Sequence, residues 1–181
     1  MASIVTITSG KYRGRRLISP GGDTTHPMGS REKIALFNIL QGSLSGARVL
    51  DTYAGTGALG LEALSRGACS ATFIENNPAA LRCLRQNLAI LDQKDQANVT
   101  IFPGKASNFA SDALYDVILA DPPYDHFRPS EVAKLASFLA PSGIFALSHP
   151  SDTDVTFDSL QPITTRKYAN AHLTLYQKSN S

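Results

Sequence analysis

Between residues 47 and 60 the chain passes from an apolar run through a glycine-rich turn into a helix. Few folds accommodate that order. Ala47–Leu50 reads as a strand buried on both faces, as strands of a parallel sheet are. Asp51 closes it, and Gly55, Gly57 and Gly60 follow with G-x-G-x-x-G spacing, overlapping a helical stretch from Ala58 to Arg66. Glycines so spaced let the backbone turn tightly, approach a ligand and pack helix on strand. An acid about twenty positions further on binds a ribose hydroxyl in such units. Glu75 stands there, at the end of the apolar run Ala71–Ile74.

The turn therefore predicts a nucleoside cofactor. Both NAD and S-adenosylmethionine carry a ribose diol, so the glycines alone do not choose between them. Asp51 favours S-adenosylmethionine: a strand-end carboxylate there faces a positively charged amino acid end, whereas it repels a pyrophosphate. Tyr53 and Ala54 lie on the turn, and Asn76 beside Glu75 is placed to touch the same ligand.

The rest of the chain repeats strand and helix. Asn77 and Pro78 open a helix running to about Leu91, with Leu81, Leu84, Leu88 and Leu91 as its buried stripe. Val99–Phe102 is a third strand, and the turn after it, with Lys105 and Ala106, edges the base. Tyr115–Ala120 is a fourth strand, a helix spans about Ser130–Leu139, Pro141-Ser142-Gly143 is a turn, and Ile144–Ser148 is a fifth strand. Two more strands are expected near Ile163–Lys167 and His172–Tyr176. This alternation demands an α/β fold with a mostly parallel sheet covered on both faces.

The fourth strand runs into Asp121-Pro122-Pro123-Tyr124. Consecutive prolines fix the backbone and carry no N–H. The Pro122 carbonyl and the Asp121 carboxylate are then two acceptors held together, which suits the two protons of an exocyclic amine. Tyr124 offers a face on which a base stacks. Orienting an amine toward the methyl of a sulfonium is most of what such a transfer needs.

Upstream, Ile4–Ile18 reads as a β-hairpin with a basic crossing, Lys11, Arg13, Arg15 and Arg16 around Tyr12. Such a segment holds phosphates and stacks on a base. A solvated edge strand protected by its charges reads equally well. Pro20–Asp23 is a loop, and Ser30 caps a helix from Arg31 to about Gln41. Ile34, Phe37 and Leu40 form its core stripe, while Arg31 and Lys33 lie off it, Lys33 as part of a solvated face.

Composition narrows the classes. The 181 residues are 43% hydrophobic and 18% charged, which fits one globular domain. A net charge of +2 makes any basic surface local. Cys69 and Cys83 have no C-x-x-C spacing and read as small core residues with reduced thiols. His26, His126, His149 and His172 show no metal-ligand spacing, so no metal is expected. There is no P-loop, no membrane span and no signal-peptide pattern, and a monomer in the cytoplasm is expected.

These residues together resemble the bacterial 16S rRNA guanine-N2 methyltransferases that modify guanine 966 of the small subunit. The resemblance is carried by Gly10–Leu17, Pro27–Leu40, Leu50–Ala68, Asp121–Tyr124 and Arg166-Lys167-Tyr168. It implies a Rossmann-like class I methyltransferase fold with a seven-stranded sheet, S-adenosyl-L-methionine as donor, and a guanine N2 in 16S rRNA of the 30S particle as acceptor. It implies that Asp51, Tyr53, Ala54, Gly55, Gly57, Glu75, Asn76, Lys105 and Ala106 bind the cofactor. Asp121, Pro122, Pro123 and Tyr124 then seat the guanine, and Lys11, Arg13, Arg15, Arg16 and Arg31 bind rRNA. Residues 1–25 form a basic hairpin extension and 26–181 the methyltransferase domain. Departures from the family pattern are His26-Pro27-Met28 for Arg-Pro-Thr, Lys33-Ile34 for Arg-Glu, Lys105 for an acid, Ser148 for glutamate and Ala169 for glycine. Other readings of the same motifs are a DNA adenine-N6 or cytosine-N4 methyltransferase, an NAD-dependent oxidoreductase and a non-catalytic rRNA-binding assembly factor.

Overall fold

A computed structural model describes residues 5–20 and 28–179. The predicted strand start at Ile4, most of the Pro20–Asp23 loop, His26, Pro27 and the 25/26 boundary lie outside the described residues. β1 (Val5–Thr6) and β2 (Arg16–Leu17) pair antiparallel as a short hairpin. Then follow α1 (Ser30–Ile39), β3 (Arg48–Asp51), α2 (Ala58–Ser65), β4 (Ser70–Glu75), α3 (Pro78–Asn87), α4 (Gln93–Gln96) and β5 (Val99–Pro103). β6 (Tyr115–Ala120), α5 (Pro129–Leu135), β7 (Leu139–Pro150), β8 (Leu160–Lys167) and β9 (Ala171–Lys178) complete the chain.

β3 to β9 form one seven-stranded sheet in the order β5-β4-β3-β6-β7-β9-β8. The first five are parallel, and β9 runs antiparallel between β7 and β8. This is the Rossmann-like class I methyltransferase architecture. Helices cover both faces, so β3 and β6 are apolar on both sides: Val49, Leu50, Val117, Ile118 and Leu119 are all fully buried. The chain leaves β3 toward β4 on one side and returns to β6 on the other. The C-terminal ends of β3 and β6 therefore flank the switch point where such sheets bind ligands.

Several boundaries differ from expectation for local reasons. Pro141-Ser142-Gly143 is a bulge inside β7 rather than a turn before it. Tyr115 pairs with Leu139 and Val117 with Ile144, so three extra residues are absorbed there. The helix expected to reach Leu91 ends at Asn87 and tightens into a 3₁₀ turn, Leu88–Ile90, with Leu88 only partly buried. The predicted Asn77 cap forms, its side chain accepting from the N–H groups of Ala79 and Ala80. The helix expected over 130–139 likewise ends at Leu135 in a 3₁₀ turn, and the closing strands are longer than expected.

α1 departs most. Its N-cap is Gly29 and not Ser30: the Glu32 carboxylate reaches back to accept from the Gly29 N–H at 2.7 Å. Ile34, expected in the core, is 45% exposed, while Lys33, expected on a solvated face, is buried. The helix is rotated so that Lys33, Leu36, Phe37 and Leu40 face inward. Cys83 packs in the core as read, but Cys69 is at the surface.

The glycine turn shows why glycine is needed at two positions. Gly57 has φ +82°, the left-handed region, at the N-cap of α2. Gly60 lies against β4: a Cβ there would stand 2.3 Å from the ring of Phe73, which is itself fully buried. Gly60→Ala is expected to destabilise the fold by about 1–3 kcal/mol through overpacking, read as a lower urea midpoint with unchanged slope.

Candidate active site

Asp51 pairs in register with Phe73 of β4 and Leu119 of β6. Tyr53, Glu75 and Asp121 all lie two residues beyond that rung. The sheet therefore brings the glycine turn, the ribose-type acid and the proline tetrapeptide to one edge, although 46 residues separate Glu75 from Asp121 in sequence. The Thr52 N–H bonds the Leu119 carbonyl and the Ala54 N–H bonds the Ile74 carbonyl, so the turn is tied to both neighbours.

Asp51 is 1% exposed, with its carboxylate accepting from the Gly60 N–H at 2.9 Å in the first turn of α2. It sits beneath the turn, against the first turn of α2. Burial, with repulsion from Asp121 and Glu75, pushes its pKa up to about 7 against the pull of the Gly60 bond. Glu75 is half-buried. One oxygen accepts from the Gly55 N–H (2.7 Å), the other from Asn76 and Asn77 N–H (2.8 and 2.7 Å). A Cβ on Gly55 would meet nothing within 4 Å, so this bend of the turn opens on free space. Asn76 is exposed, Tyr53 half-buried and Ala54 buried. Further along the edge, Lys105 is exposed and Ala106, buried, begins a 3₁₀ turn.

Asp121 is half-buried and its pKa is pushed up to about 6, by burial first and then by Glu32, while nearby Ser148 and the bond from the Met28 N–H (3.1 Å) pull it down. Pro122 is buried and Pro123 exposed. Among the described residues no backbone N–H bonds the Pro122 carbonyl. Tyr124 is 37% exposed, and its hydroxyl meets Ser148 Oγ at 2.5 Å. The contacts of Asp121 with the Met28 N–H and of Tyr124 with Ser148 are invisible to motif reading, because the segment before α1 and β7 reach this point only in three dimensions. The six ion pairs among the described residues involve none of Asp51, Glu75 and Asp121. Among the described residues, then, none of these three carboxylates is ion-paired.

The basic segment behaves differently from its sequence. Arg13, Arg15, Arg16 and Arg31 are exposed. Lys11 is exposed too, and lies between Asp92 (2.5 Å) and Asp95 (2.9 Å), which raise its pKa. Tyr12, offered as a stacking face, is 7% exposed with its hydroxyl on Asp95, so it stacks on no base. The Lys11 N–H bonds the Ser65 carbonyl at the end of α2, which puts the hairpin tip away from the site edge. β2 then climbs back. At Ile18, the Asn87 amide accepts from the backbone N–H and donates to the carbonyl, and it also donates to the Thr56 carbonyl in the glycine turn. A cleft of about 580 Å³ beside Lys11, Arg48 and Cys69 lies at the opposite, N-terminal ends of β3 and β4. It shares no residue with the acidic edge.

The family model described as conserved hypothetical protein 95 matches residues 5–177. Ribosomal RNA small subunit methyltransferase D of Escherichia coli K12 is 37% identical over 122 residues, 66% of this chain and 60% of that protein. The Haemophilus influenzae protein of the same name is 36% identical over 134 residues, 71% of this chain and 68% of its own length. The aligned part thus spans about 60% of the Escherichia coli relative. Among solved structures, Escherichia coli yhhF superposes with a TM-score of 0.85 at 30% identity, over 99% of this chain and 100% of that one.

Proposed function

Since the chain belongs to the conserved hypothetical protein 95 family, an RsmD-like family of methyltransferases, we propose that it methylates the exocyclic N2 of guanine 966 in 16S rRNA. The donor is S-adenosyl-L-methionine and the substrate the small ribosomal subunit, met by a monomer in the cytoplasm. The observation that carries this reading is the acidic edge. Asp51, Glu75 and Asp121 lie at the C-terminal ends of three neighbouring strands, none of them ion-paired among the described residues, and a sulfonium with an α-ammonium answers that charge.

When bound, S-adenosylmethionine supplies an electrophilic methyl group on a positively charged sulfur. The chain's own residues do the rest. Asp51, beneath the turn, and the backbone of Tyr53, Ala54, Gly55 and Gly57 hold the amino acid and ribose side. Glu75, already fixed by three N–H donors, keeps about one lone-pair site, on the oxygen that accepts from Gly55, for a hydroxyl of the diol, with Asn76 beside it. Lysine accepts no hydrogen bond, so the adenine edge is met by the backbone of Lys105 and Ala106 and not by the Lys105 side chain. Asp121 and the Pro122 carbonyl accept the two amine protons, Pro123 stiffens the turn, and Tyr124 stacks on the base. With its pKa near 6, Asp121 is ionised at neutral pH and takes the proton that the nitrogen sheds as the bond forms.

Arg13, Arg15, Arg16 and Arg31 hold rRNA phosphates, with Lys11 a spectator. Arg15→Ala is expected to lower the slope of log affinity against log salt by about 0.7–0.9, the share of one phosphate contact. Lys11→Ala is expected to leave that slope unchanged. Both are read from RNA binding titrated across salt.

The reading is tested by incubating the protein with labelled S-adenosylmethionine and small subunits from a strain lacking methyltransferase D. Label on a single guanine N2, mapped by nuclease digestion and mass spectrometry, is expected. No label on small subunits, with label on adenine N6 or cytosine N4 in a parallel incubation with DNA, would transfer the chemistry to another substrate. Cofactor binding without transfer to anything would leave an rRNA-binding assembly factor.

A further inference from the structure

The glycine turn and the basic arm meet at a side chain that no motif marks. Asn87, the last residue of α3, is 2% exposed. Its Oδ1 accepts from the Ile18 N–H at 2.7 Å, and its Nδ2 donates to the Ile18 and Thr56 carbonyls, both at 2.9 Å. Both amide protons are thereby used, and a flipped amide would set its oxygen against two carbonyls, so the orientation is fixed. Ile18 directly follows β2, which carries Arg16, and Thr56 lies between Gly55 and Gly57. α3 touches the turn again about one helical turn earlier: a Cβ on Gly57 would stand 2.5 Å from Leu84 Cδ1. Among the described residues, Asn87 alone hydrogen-bonds both residues 5–20 and the turn at 52–57.

We propose that Asn87 is a positioning residue that holds the cofactor turn and the rRNA-binding arm in one register. This deepens the methyl-transfer reading and rests on it. The other bonds of the turn run to the sheet: Thr52 N–H to Leu119, Ala54 N–H to Ile74 and Gly55 N–H to Glu75. The other bonds of the arm run to α2 and to the start of α4. Thr8 and Ser9 meet Glu62, the Tyr12 N–H meets Ser65 Oγ, and Lys11 meets Asp92 and Asp95. None of them joins arm to turn. Loss of the Asn87 amide would leave all of these in place and strip the Thr56 carbonyl and both backbone groups of Ile18 of their partner at once. Buried polar groups without partners draw the backbone toward water. Turn and arm would then shift independently, and the methyl donor and the bound rRNA would no longer be presented to each other from one frame.

The test is steady-state methyl transfer to small subunits by the full chain. Asn87→Ala is expected to raise the KM for S-adenosylmethionine and the KM for small subunits about fivefold each, the scale of one neutral hydrogen bond. Because Asn87 bonds none of Asp121, Pro122, Pro123 and Tyr124, kcat at saturation is expected to stay within about threefold of wild type. A variant that was merely less stable would lower kcat through its folded fraction and leave both KM values alone. Arg15→Ala is expected to move the small-subunit KM only. Unchanged KM values in Asn87→Ala overturn the proposal, as does a rise in one of them without the other. Should the variant unfold, the two side-chain amide protons of Asn87 are followed in the wild type by ¹H–¹⁵N NMR. S-adenosylmethionine and a 16S rRNA fragment around guanine 966 are each expected to shift them, and a pair that answers to only one ligand, or to neither, overturns the proposal. A wild type that methylates no RNA removes the proposed function instead. The tie is then read from cofactor calorimetry and RNA titration, where Asn87→Ala is expected to weaken both and an effect on fewer than both overturns it.

Discussion

Asp121→Asn is expected to cut methyl transfer by about a hundredfold or more, the scale of a misplaced reactant, with the fold and cofactor affinity retained. Asparagine keeps the shape but replaces one acceptor oxygen with a donor. That donor would face either the Met28 N–H, now 3.1 Å from Oδ2, or the incoming amine. The same logic gives the wild-type pH dependence. Burial holds the Asp121 pKa up to about 6, so the carboxylate is an acceptor above that value and a protonated donor below it. The rate is expected to fall as pH drops through about 6, and single-turnover transfer to small subunits across pH 5–8 reads both effects. An Asp121→Asn enzyme of wild-type rate would show that the amine is seated elsewhere.

The largest loss of stability is expected at Glu62, which no motif marks. Its carboxylate is fully buried in α2. It accepts from the Thr8 N–H (2.8 Å), the Thr8 hydroxyl (2.7 Å), the Ser9 N–H (3.1 Å) and Arg66 (2.8 Å), with Lys33 Nζ at 3.5 Å. One acid thus joins the hairpin, α1 and α2. Burial alone would raise its pKa, but Thr8, Arg66 and Lys33 together bring it below the ordinary range. Glu62→Ala leaves the Lys33 ammonium buried without its counter-charge and is expected to cost about 3–5 kcal/mol, read from urea unfolding. Adding Lys33→Met is expected to recover part of the loss, because the stranded charge is then gone. The depressed pKa also sets a sign. The contribution is complete above the pKa of the unfolded carboxylate and is lost as pH falls through the lower folded value. A single Glu62→Ala variant as stable as the wild type would mean that the buried hub does not hold the hairpin.

The fold class and the site edge were legible because each rests on a local code. Continuous apolar runs at β3 and β6 specify strands covered on both faces, and the glycine spacing specifies the turn into α2, down to the contact of Gly60 with Phe73. Alternation of strands and helices then leaves the C-terminal ends as the edge on which Glu75 and Asp121 flank β3. The misreadings arose where a residue's environment is supplied by distant chain. Lys33 looked solvated by helical spacing, yet Glu62 and the Thr6 carbonyl draw it inward. Tyr12 looked like a stacking face for a base, yet it is buried with its hydroxyl on Asp95, some eighty residues on.

By itself, then, the sequence determined the strand order's raw material, the glycine turn and the identity of the acids and prolines at the strand ends. Spacing and backbone stereochemistry act over a few residues and can be read along the chain. The tertiary structure alone decided which charges are free and which are spent. It buried Asp51 beneath Gly60, set the Ser148 hydroxyl against that of Tyr124, and ion-paired Lys11 while Arg13, Arg15 and Arg16, equally exposed, are in none of the ion pairs among the described residues. The reason is physical: the behaviour of an ionisable group depends on solvent and partners within a few ångströms, and only the folded chain fixes those.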